Sequence, residues 1–213
     1  MESYLRGINN LVRFVHSAVE IVQSLSTPVG KLITLFKARL VVRGFKQIEG
    51  VDFVKTFSST AQMRSFRTIV MLAVSHDLEL SQHDISNAFL NGELDEEIFM
   101  EFPPGYPGEL PGECLKLNKG LYGLKQASRI WNKRLASELN KAGLVVCKTE
   151  PGILHWESDD MTKRVLVCLH VDDIIVATNN DSKRKLVEAV LKDPFLVKEL
   201  GELHHAVRWS KNN

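Results

Sequence analysis

The sequence predicts an α+β fold in which helices cover one face of an antiparallel sheet. The first observation is the order of the elements: strand, helix, two strands, helix, strand, as in a split β-α-β unit. The second is an apolar, β-branched hairpin that carries two adjacent aspartates. The third is size, because 213 residues with 44% hydrophobic content suit one globular domain or a core domain with appendages.

The first elements are predicted by their apolar periodicity. Residues 38–43 (ARLVVR) suggest a strand with basic residues at its ends. Residues 65–75 show helical apolar spacing, and Ser65 could cap that helix. Residues 78–85 then alternate in the manner of a strand whose end carries Asp84.

The later elements follow a loop at residues 102–112, which contain four prolines and three glycines. Residues 126–141 predict a helix with one apolar stripe. That stripe consists of Ile130, Trp131, Leu135 and Leu139. Residues 165–178 predict the hairpin, and Asp181 or Ser182 is expected to cap the last helix.

Charge is distributed unevenly although the net charge is only +1. Residues 68–101 contain eight acids and no Lys or Arg, whereas residues 115–148 contain eight basic residues and one acid. Residues 31–46 carry five basic residues and no acid. One interpretation is solvated helix faces; the other is a cation-binding acidic region beside surfaces that follow a phosphate backbone.

The cysteines and the apolar runs exclude several classes of protein. Cys114, Cys147 and Cys168 lie far apart without metal-binding spacing, so we expect reduced core residues of an intracellular protein. No apolar run reaches the roughly 18 residues of a membrane-spanning helix. The first residues lack the basic start and apolar block of a signal peptide.

Asp172 and Asp173 interrupt the apolar hairpin and require an explanation. Two carboxylates about 4 Å apart repel by roughly 4 kcal/mol at an effective dielectric constant near 20. A cation would relieve that repulsion, and Mg²⁺ prefers such hard oxygen ligands. Asp84, at the end of another strand, is available as a further carboxylate. The alternative is an ordinary turn, in which aspartate is common.

Five stretches of the chain together resemble one family, the reverse transcriptase domain of copia-type LTR retrotransposons. The last of the five is the weakest match, and together they run from residue 37 to residue 205 in the order of the family. They are KARLVVRGFKQIEGVDF (37–53), QHDISNAFLNGELDEEIFMEFPPGY (82–106), LYGLKQASRIWN (121–132), HVDDIIVAT (170–178) and KELGELHH (198–205).

The resemblance implies a polymerase palm with two-metal chemistry. Asp84 and Asp172 would be the catalytic aspartates that bridge two Mg²⁺ ions, with Mn²⁺ as an alternative, and Asp173 would support the site. The backbone carbonyl of Ile85 would face a metal ion. Phe89 would lie under the incoming sugar and exclude a 2′-hydroxyl.

The resemblance also implies contacts to the nucleotide and to the template-primer. Gln126 would contact the incoming nucleotide and the template, with Lys125 and Arg129 beside it on the nucleic acid. His170 occupies the place of the family's usual tyrosine and would meet the primer end. The sequence does not choose among the candidate triphosphate ligands, which are Lys37, Arg39 and Arg43.

The implied organisation has three parts. Residues 1–36 are unmatched and have the spacing of an amphipathic helix, residues 37–205 are a reverse transcriptase domain with partial fingers and a palm, and residues 206–213 form a short tail. We expect no thumb within the chain. A chain without a thumb and with the unmatched N-terminal part should be a weak polymerase at most.

The function implied is an RNA-directed DNA polymerase core that acts on an RNA or DNA template-primer duplex and deoxynucleoside triphosphates. Other parts of a retroelement polyprotein are expected partners, and a membrane is not. The expected location is intracellular, in cytoplasmic virus-like particles or in the nucleus. Two alternatives stay open: a catalytically inactive retroelement fragment that binds nucleic acid or protein, and an unrelated two-metal phosphodiesterase.

Overall fold

The computed structural model of the chain describes residues 14–15, 17–20, 39–56, 58, 61–103, 106 and 113–202. Two units are distinguished. Unit 1 comprises Met1–Thr56 and Glu93–Ala127, and unit 2 comprises Phe57–Gly92 and Ser128–Asn213. The described residues form mixed α/β structure with antiparallel sheets and three α-helices, which agrees with the predicted α+β class.

The strands of the described residues are numbered in chain order. They are β1 (Phe14–Val15), β2 (Ser17–Glu20), β3 (Arg39–Val42), β4 (Glu79–Ile85), β5 (Glu93–Met100), β6 (Leu115–Lys119), β7 (Val145–Val146), β8 (Ile153–Glu157), β9 (Arg164–His170), β10 (Asp173–Thr178) and β11 (Val197–Glu202). The helices are α1 (Met63–Ser75), α2 (Ala127–Lys141) and α3 (Asp181–Lys192). None of these helices is long and apolar enough to cross a bilayer.

Unit 1 contains two small sheets among its described residues. β5 pairs antiparallel with β6 and parallel with β1, and β2 pairs antiparallel with β3. Glu93, Asp95 and Glu97 occupy alternate exposed positions of β5, and Glu97 pairs with Lys116 across the strands. This part of the acidic stretch therefore lies on a strand, and its interpretation as a solvated helix face is wrong.

The helix predicted within residues 1–36 is also wrong where the structure describes that segment. Phe14–Val15 and Ser17–Glu20 are strands that pair with β5 and β3. Valine suits a strand at least as well as a helix, and the partner strands supply a hydrogen-bonding ladder that local spacing does not reveal. The rest of the segment lies outside the described residues.

Unit 2 is built on a six-stranded sheet with the order β11-β4-β10-β9-β8-β7, in which every neighbouring pair is antiparallel. β9 and β10 confirm the predicted hairpin, and β4 confirms the strand predicted at 78–85. The sheet lies between helices, because two separate apolar clusters pack on its opposite faces. One cluster includes Phe66 and Ile69 of α1, and the other includes residues of α2 and α3.

The prediction that helices cover only one face of the sheet is therefore wrong. Successive residues of a strand point to opposite faces, and β9 is apolar on both of them. Val165, Val167 and Leu169 join the cluster of α2 and α3, whereas Leu166 and Cys168 lie with that of α1. A continuous apolar run, in contrast to an alternating one, is typical of a strand buried on both faces.

The helix starts differ from the predicted caps. α1 begins at Met63 after Gln62, so Ser65 is inside the helix, where its hydroxyl donates to the Glu150 carboxylate at 2.8 Å. The cap of α3 is Asn180, whose side chain accepts from the Lys183 N–H, and neither Asp181 nor Ser182 takes that place. Asparagine caps as well as aspartate or serine does, so adjacent polar residues cannot be separated by composition alone.

The three cysteines are free thiols, as expected, but only one belongs to the core. Cys168 is buried in β9, and Cys114 and Cys147 are half-buried. Most of the loop predicted at 102–112 lies outside the described residues.

Candidate active site

The paired aspartates lie at a tight turn between two strands of unit 2. β9 ends at His170 and β10 begins at Asp173, so Val171 and Asp172 alone form the turn. Val171 has φ +56°, whereas Asp172 is not among the residues with positive φ. A positive φ at the first position of a two-residue hairpin turn suits glycine, so a β-branched residue there is strained. The indole N–H of Trp131 donates to the Val171 carbonyl at 2.6 Å and supports the turn.

Four charged or titratable residues form one row across the sheet. Asp173 is directly opposite Asp84 on β4 and directly opposite His170 on β9, and Asp84 is opposite Lys198 on β11. Side chains directly opposite each other project from the same face, with Cβ atoms about 4.5–5.5 Å apart. The row therefore brings two half-buried acidic side chains together between a lysine and a histidine.

A backbone hydrogen bond of Asp172 places this residue beside the same end of the sheet. Its carbonyl accepts from the Ile85 N–H at 2.9 Å, which joins the hairpin turn to the end of β4. Asp172 is thus adjacent to the strand end that carries Asp84, although the residue in direct register with Asp84 is Asp173. The Ile85 side chain is buried in the core.

Gln82 is a residue of this site that the sequence analysis missed. Its amide N–H donates to the Asp173 carboxylate at 3.1 Å. The signal was its position two residues before Asp84, because residues i and i+2 of a strand share a face. Lys198 was not predicted either, and it lies within the weakest of the five matching stretches.

The acidic residues have the chemistry for a hard divalent cation. Carboxylate and carbonyl oxygens are the ligands that Mg²⁺ prefers, and the row places two half-buried carboxylates on one face. Across the described part of the chain, three or more His, Cys, Asp or Glu side chains are nowhere gathered into a metal-binding group. The row thus supplies oxygen donors of the kind that Mg²⁺ prefers, while the binding of an ion here stays a prediction.

Gln126, predicted to contact the nucleotide, lies in unit 1 with its amide bonded at both ends. Its amide N–H donates to the Asp52 carbonyl at 2.9 Å, and its oxygen accepts from the Gln47 amide at 3.1 Å. The side chain is 0% exposed. Contact with a nucleotide stays a prediction, and it would require these hydrogen bonds to break.

The predicted basic residues of unit 1 differ in their surroundings. Arg39 lies over the Tyr122 ring with its guanidinium carbon 5.4 Å from the centroid, and the Lys125 ammonium lies 4.7 Å from the centroid of Phe53. Arg43 is exposed. Lys37 lies outside the described residues.

The remaining predicted residues belong to unit 2. Phe89 is in a short 3₁₀ turn at Ala88–Asn91 and packs, half-buried, against the cluster of α2 and α3. Arg129 is half-buried on α2, and His170 is half-buried at the end of β9. Asp84, Asp172, Asp173 and His170 are thus brought to one end of the sheet.

Comparison with known proteins points in one direction. A family model described as reverse transcriptase (RNA-dependent DNA polymerase) matches residues 29–207. The chain is 38% identical over 169 residues to a retrovirus-related Pol polyprotein from transposon TNT 1-94 of Nicotiana tabacum. It is 34% identical over 171 residues to the retrovirus-related Pol polyproteins from transposons RE2 and RE1 of Arabidopsis thaliana.

These alignments cover most of this chain but a small part of each relative. They include 78% of the chain for the tobacco protein and 80% for the two Arabidopsis proteins. In each case the chain spans 12% of the relative's length.

Proposed function

Because the chain belongs to the reverse transcriptase family of copia-type retrotransposon Pol polyproteins, we propose that it is an RNA-directed DNA polymerase core. It would transfer nucleotides to a primer 3′-hydroxyl on an RNA or DNA template. Residues 37–205 would supply a palm-like part and part of the fingers. Its setting would be intracellular, within or released from a longer Pol polyprotein.

The observation that carries this proposal is the pairing of Asp84 with Asp173 beside the Asp172 turn. Two acids in direct register on neighbouring strands repel each other, because like charges opposite each other are destabilising. The hydrogen bond from Ile85 to the Asp172 carbonyl holds the third acid at the same strand end. A reaction that needs divalent cations at this strand end would account for the three acids.

Asp84, Asp172 and the Ile85 carbonyl would hold two Mg²⁺ ions, or Mn²⁺ in their place. When bound, the ions would favour ionisation of the primer 3′-hydroxyl and neutralise charge on the departing pyrophosphate. Asp173, oriented by the Gln82 amide, would keep the site negative and its neighbours in place. His170 would lie beside the primer end.

Other residues would hold the triphosphate and the duplex. Phosphate groups are bound by cationic side chains, so the triphosphate would be held by one of Lys37, Arg39 and Arg43, among which the sequence does not choose. Lys125 and Arg129 would follow the nucleic-acid backbone. Phe89 would limit the space at the sugar.

Primer extension on poly(rA)·oligo(dT) with Mg²⁺ or Mn²⁺ tests the proposal. Asp84→Asn and Asp172→Asn should each lower the rate about a hundredfold or more, because positioning of the reacting groups is lost. Asp159→Asn is the matched control, since Asp159 is exposed in the connection between β8 and β9. Equal extension by the wild type and both site variants would refute the proposed roles.

Two further measurements separate the alternative functions. If the wild type does not extend a primer but binds the duplex, the chain is an inactive binding module. If it hydrolyses bis(p-nitrophenyl) phosphate in a manner that Asp84→Asn abolishes, and extends no primer, it is a two-metal phosphodiesterase.

A further inference from the structure

Unit 1 contains two similar tetrapeptides, residues 44–47 (GFKQ) and residues 123–126 (GLKQ), which lie against each other. A Cβ atom added to Gly44 would overlap the Gly123 carbonyl oxygen, and one added to Gly123 would overlap the Val42 carbonyl oxygen. The two segments therefore approach as closely as only glycine allows. Neither glycine can be replaced without moving the backbone.

Their glutamines complete the contact. The Gln47 amide donates to Gln126 at 3.1 Å, and the Gln47 oxygen accepts from the Lys125 backbone N–H at 2.8 Å. Both glutamine side chains are buried, and hydrogen bonds between buried amides favour one arrangement of the two segments. The turn at residues 44–47 is thus fixed against residues 123–126 at its first residue, Gly44, and at its last, Gln47.

The two tetrapeptides differ in their second residue. Leu124 is 5% exposed and belongs to the core, whereas Phe45 is 77% exposed. The backbone around Phe45 is ordered by 3₁₀ hydrogen bonds from Lys46 to Arg43 at 3.0 Å and from Gln47 to Gly44 at 3.1 Å. A large aromatic ring is therefore presented to solvent on a fixed turn.

The charges around this ring select the kind of partner. Arg43 and Lys46, on either side of Phe45, are both exposed. The exposed acid of the segment is Glu49, while Asp52 is buried with its carboxylate accepting from the Ile48 N–H at 2.7 Å. An exposed aromatic ring between two cations fits a nucleic-acid strand, because bases stack on the ring while the cations contact phosphates.

We propose that Phe45 is a stacking platform for an unpaired base of single-stranded nucleic acid, with Arg43 and Lys46 holding the adjacent phosphates. The partner must be unpaired there, since a base inside a duplex has both faces covered by its neighbours. The inference rests on the proposed function for the kind of polymer. It adds to that function a contact with the single-stranded part of a template.

The test compares two labelled duplexes by fluorescence anisotropy at fixed salt, one with a single-stranded template overhang and one blunt. The full chain should bind the overhang duplex more tightly than the blunt one. Phe45→Ala should weaken overhang binding about tenfold and leave blunt binding unchanged, in keeping with the contribution of one stacked base. Phe45→Trp should restore the affinity, and Val54→Ala, a change at another exposed apolar side chain of unit 1, should have no effect.

The cations should behave differently from the ring. Arg43→Ala or Lys46→Ala should weaken binding of the overhang duplex and reduce the slope of log affinity against log salt by about one. An unchanged slope in both variants would remove the two cations from the proposal.

The outcomes separate this inference from the proposed function. If the wild type binds both duplexes and Phe45→Ala binds the overhang equally well, the stacking platform is refuted while the polymerase proposal stands. If the wild type binds neither duplex, both fall. If Phe45→Ala leaves both affinities unchanged and alters the sedimentation of the chain, the ring belongs to a contact between protein copies and the inference is overturned.

Discussion

At the residue scale, His83 is adjacent in sequence to the site residue Asp84 but lies in a different environment. It precedes Asp84 on β4 and so faces the opposite side of the sheet, where it is 3% exposed. Its Nε2 lies 3.1 Å from the Ser81 hydroxyl. Burial lowers the pKa of His83, against the opposing effect of Glu188 and Glu199 and with a smaller lowering by Lys192.

We therefore predict that stability falls in mild acid. Below pH 6.5 the unfolded chain takes up a proton at this histidine, while the folded chain resists it until its own lower pKa is reached. In that window the unfolded state binds more protons, so the free energy of unfolding decreases as pH decreases, by at most about 1.4 kcal/mol per pH unit. Urea denaturation from pH 7.5 to pH 5 measures the slope.

His83→Gln should lose that part of the slope, and His76→Gln, at an exposed position, should retain it. An identical slope in the wild type and His83→Gln would show that another group is responsible.

The pair Gln47 and Gln126 provides a second prediction at this scale. Gln47→Leu leaves the Lys125 N–H and the Gln126 oxygen without their partners, which should cost about 1–3 kcal/mol of unfolding free energy. Gln126→Leu should cost a similar amount. Because the two amides share one hydrogen bond, the double variant should lose less than the sum of the single variants.

Urea denaturation of the four proteins measures this coupling, with Gln62→Leu at an exposed position as the control. Strictly additive losses would mean that the two side chains act independently.

At the element scale, the hairpin of β9 and β10 combines a stable body with a strained turn. Its strands carry apolar residues to both clusters of unit 2, whereas Val171 in the turn has φ +56°. Strained residues of this kind persist when their surroundings determine them, and they concentrate at functional sites. Here the Trp131 indole and the Ile85 N–H both bond to the turn.

Val171→Gly should therefore stabilise the protein by about 1 kcal/mol, because glycine adopts this φ without a clash and regains more than its entropic cost. Val171→Ala keeps the Cβ atom and is the matched control, for which we expect no gain. Thermal unfolding measures both. A glycine variant less stable than the alanine variant would contradict the presence of strain.

At the scale of the whole molecule, the two units are unequal in their described cores. Both apolar clusters belong to unit 2, and its hairpin strands are buried on both faces. Regions with dense apolar contacts open only with global unfolding. We therefore expect the strands that carry the site to be among the most stable elements of unit 2.

Hydrogen exchange should show this difference directly. The amides of β9 and β10 should exchange last, and those of β3 and β6, which belong to the small sheets of unit 1, should exchange earlier. Mass spectrometry of peptides after deuterium exchange measures the order. Slower exchange in β3 or β6 than in the hairpin would contradict it.

The sequence by itself determined the local elements of unit 2 and the identity of the family. The apolar spacing predicted α1, α2, β4 and the hairpin, because each buries residues at the period of its own backbone. Matching stretches such as HVDDIIVAT and LYGLKQASRIWN indicated the reverse transcriptase family, and the match over residues 29–207 confirms it. Strand β5 was missed, because acids at its exposed positions made it look like a polar segment.

Only the tertiary structure decided which residues meet. The register places Asp173, and not Asp172, directly opposite Asp84, and adds Lys198 and Gln82 to the same face. It also buries Gln126 against Gln47, a residue 79 positions away. Such contacts depend on strand pairing and close backbone approach between distant segments, and local periodicity carries no information about either. For the same reason, the helices on both faces of the sheet were not predicted. The apolar run of a single strand indicates that both of its faces are buried, but it does not indicate which elements cover them.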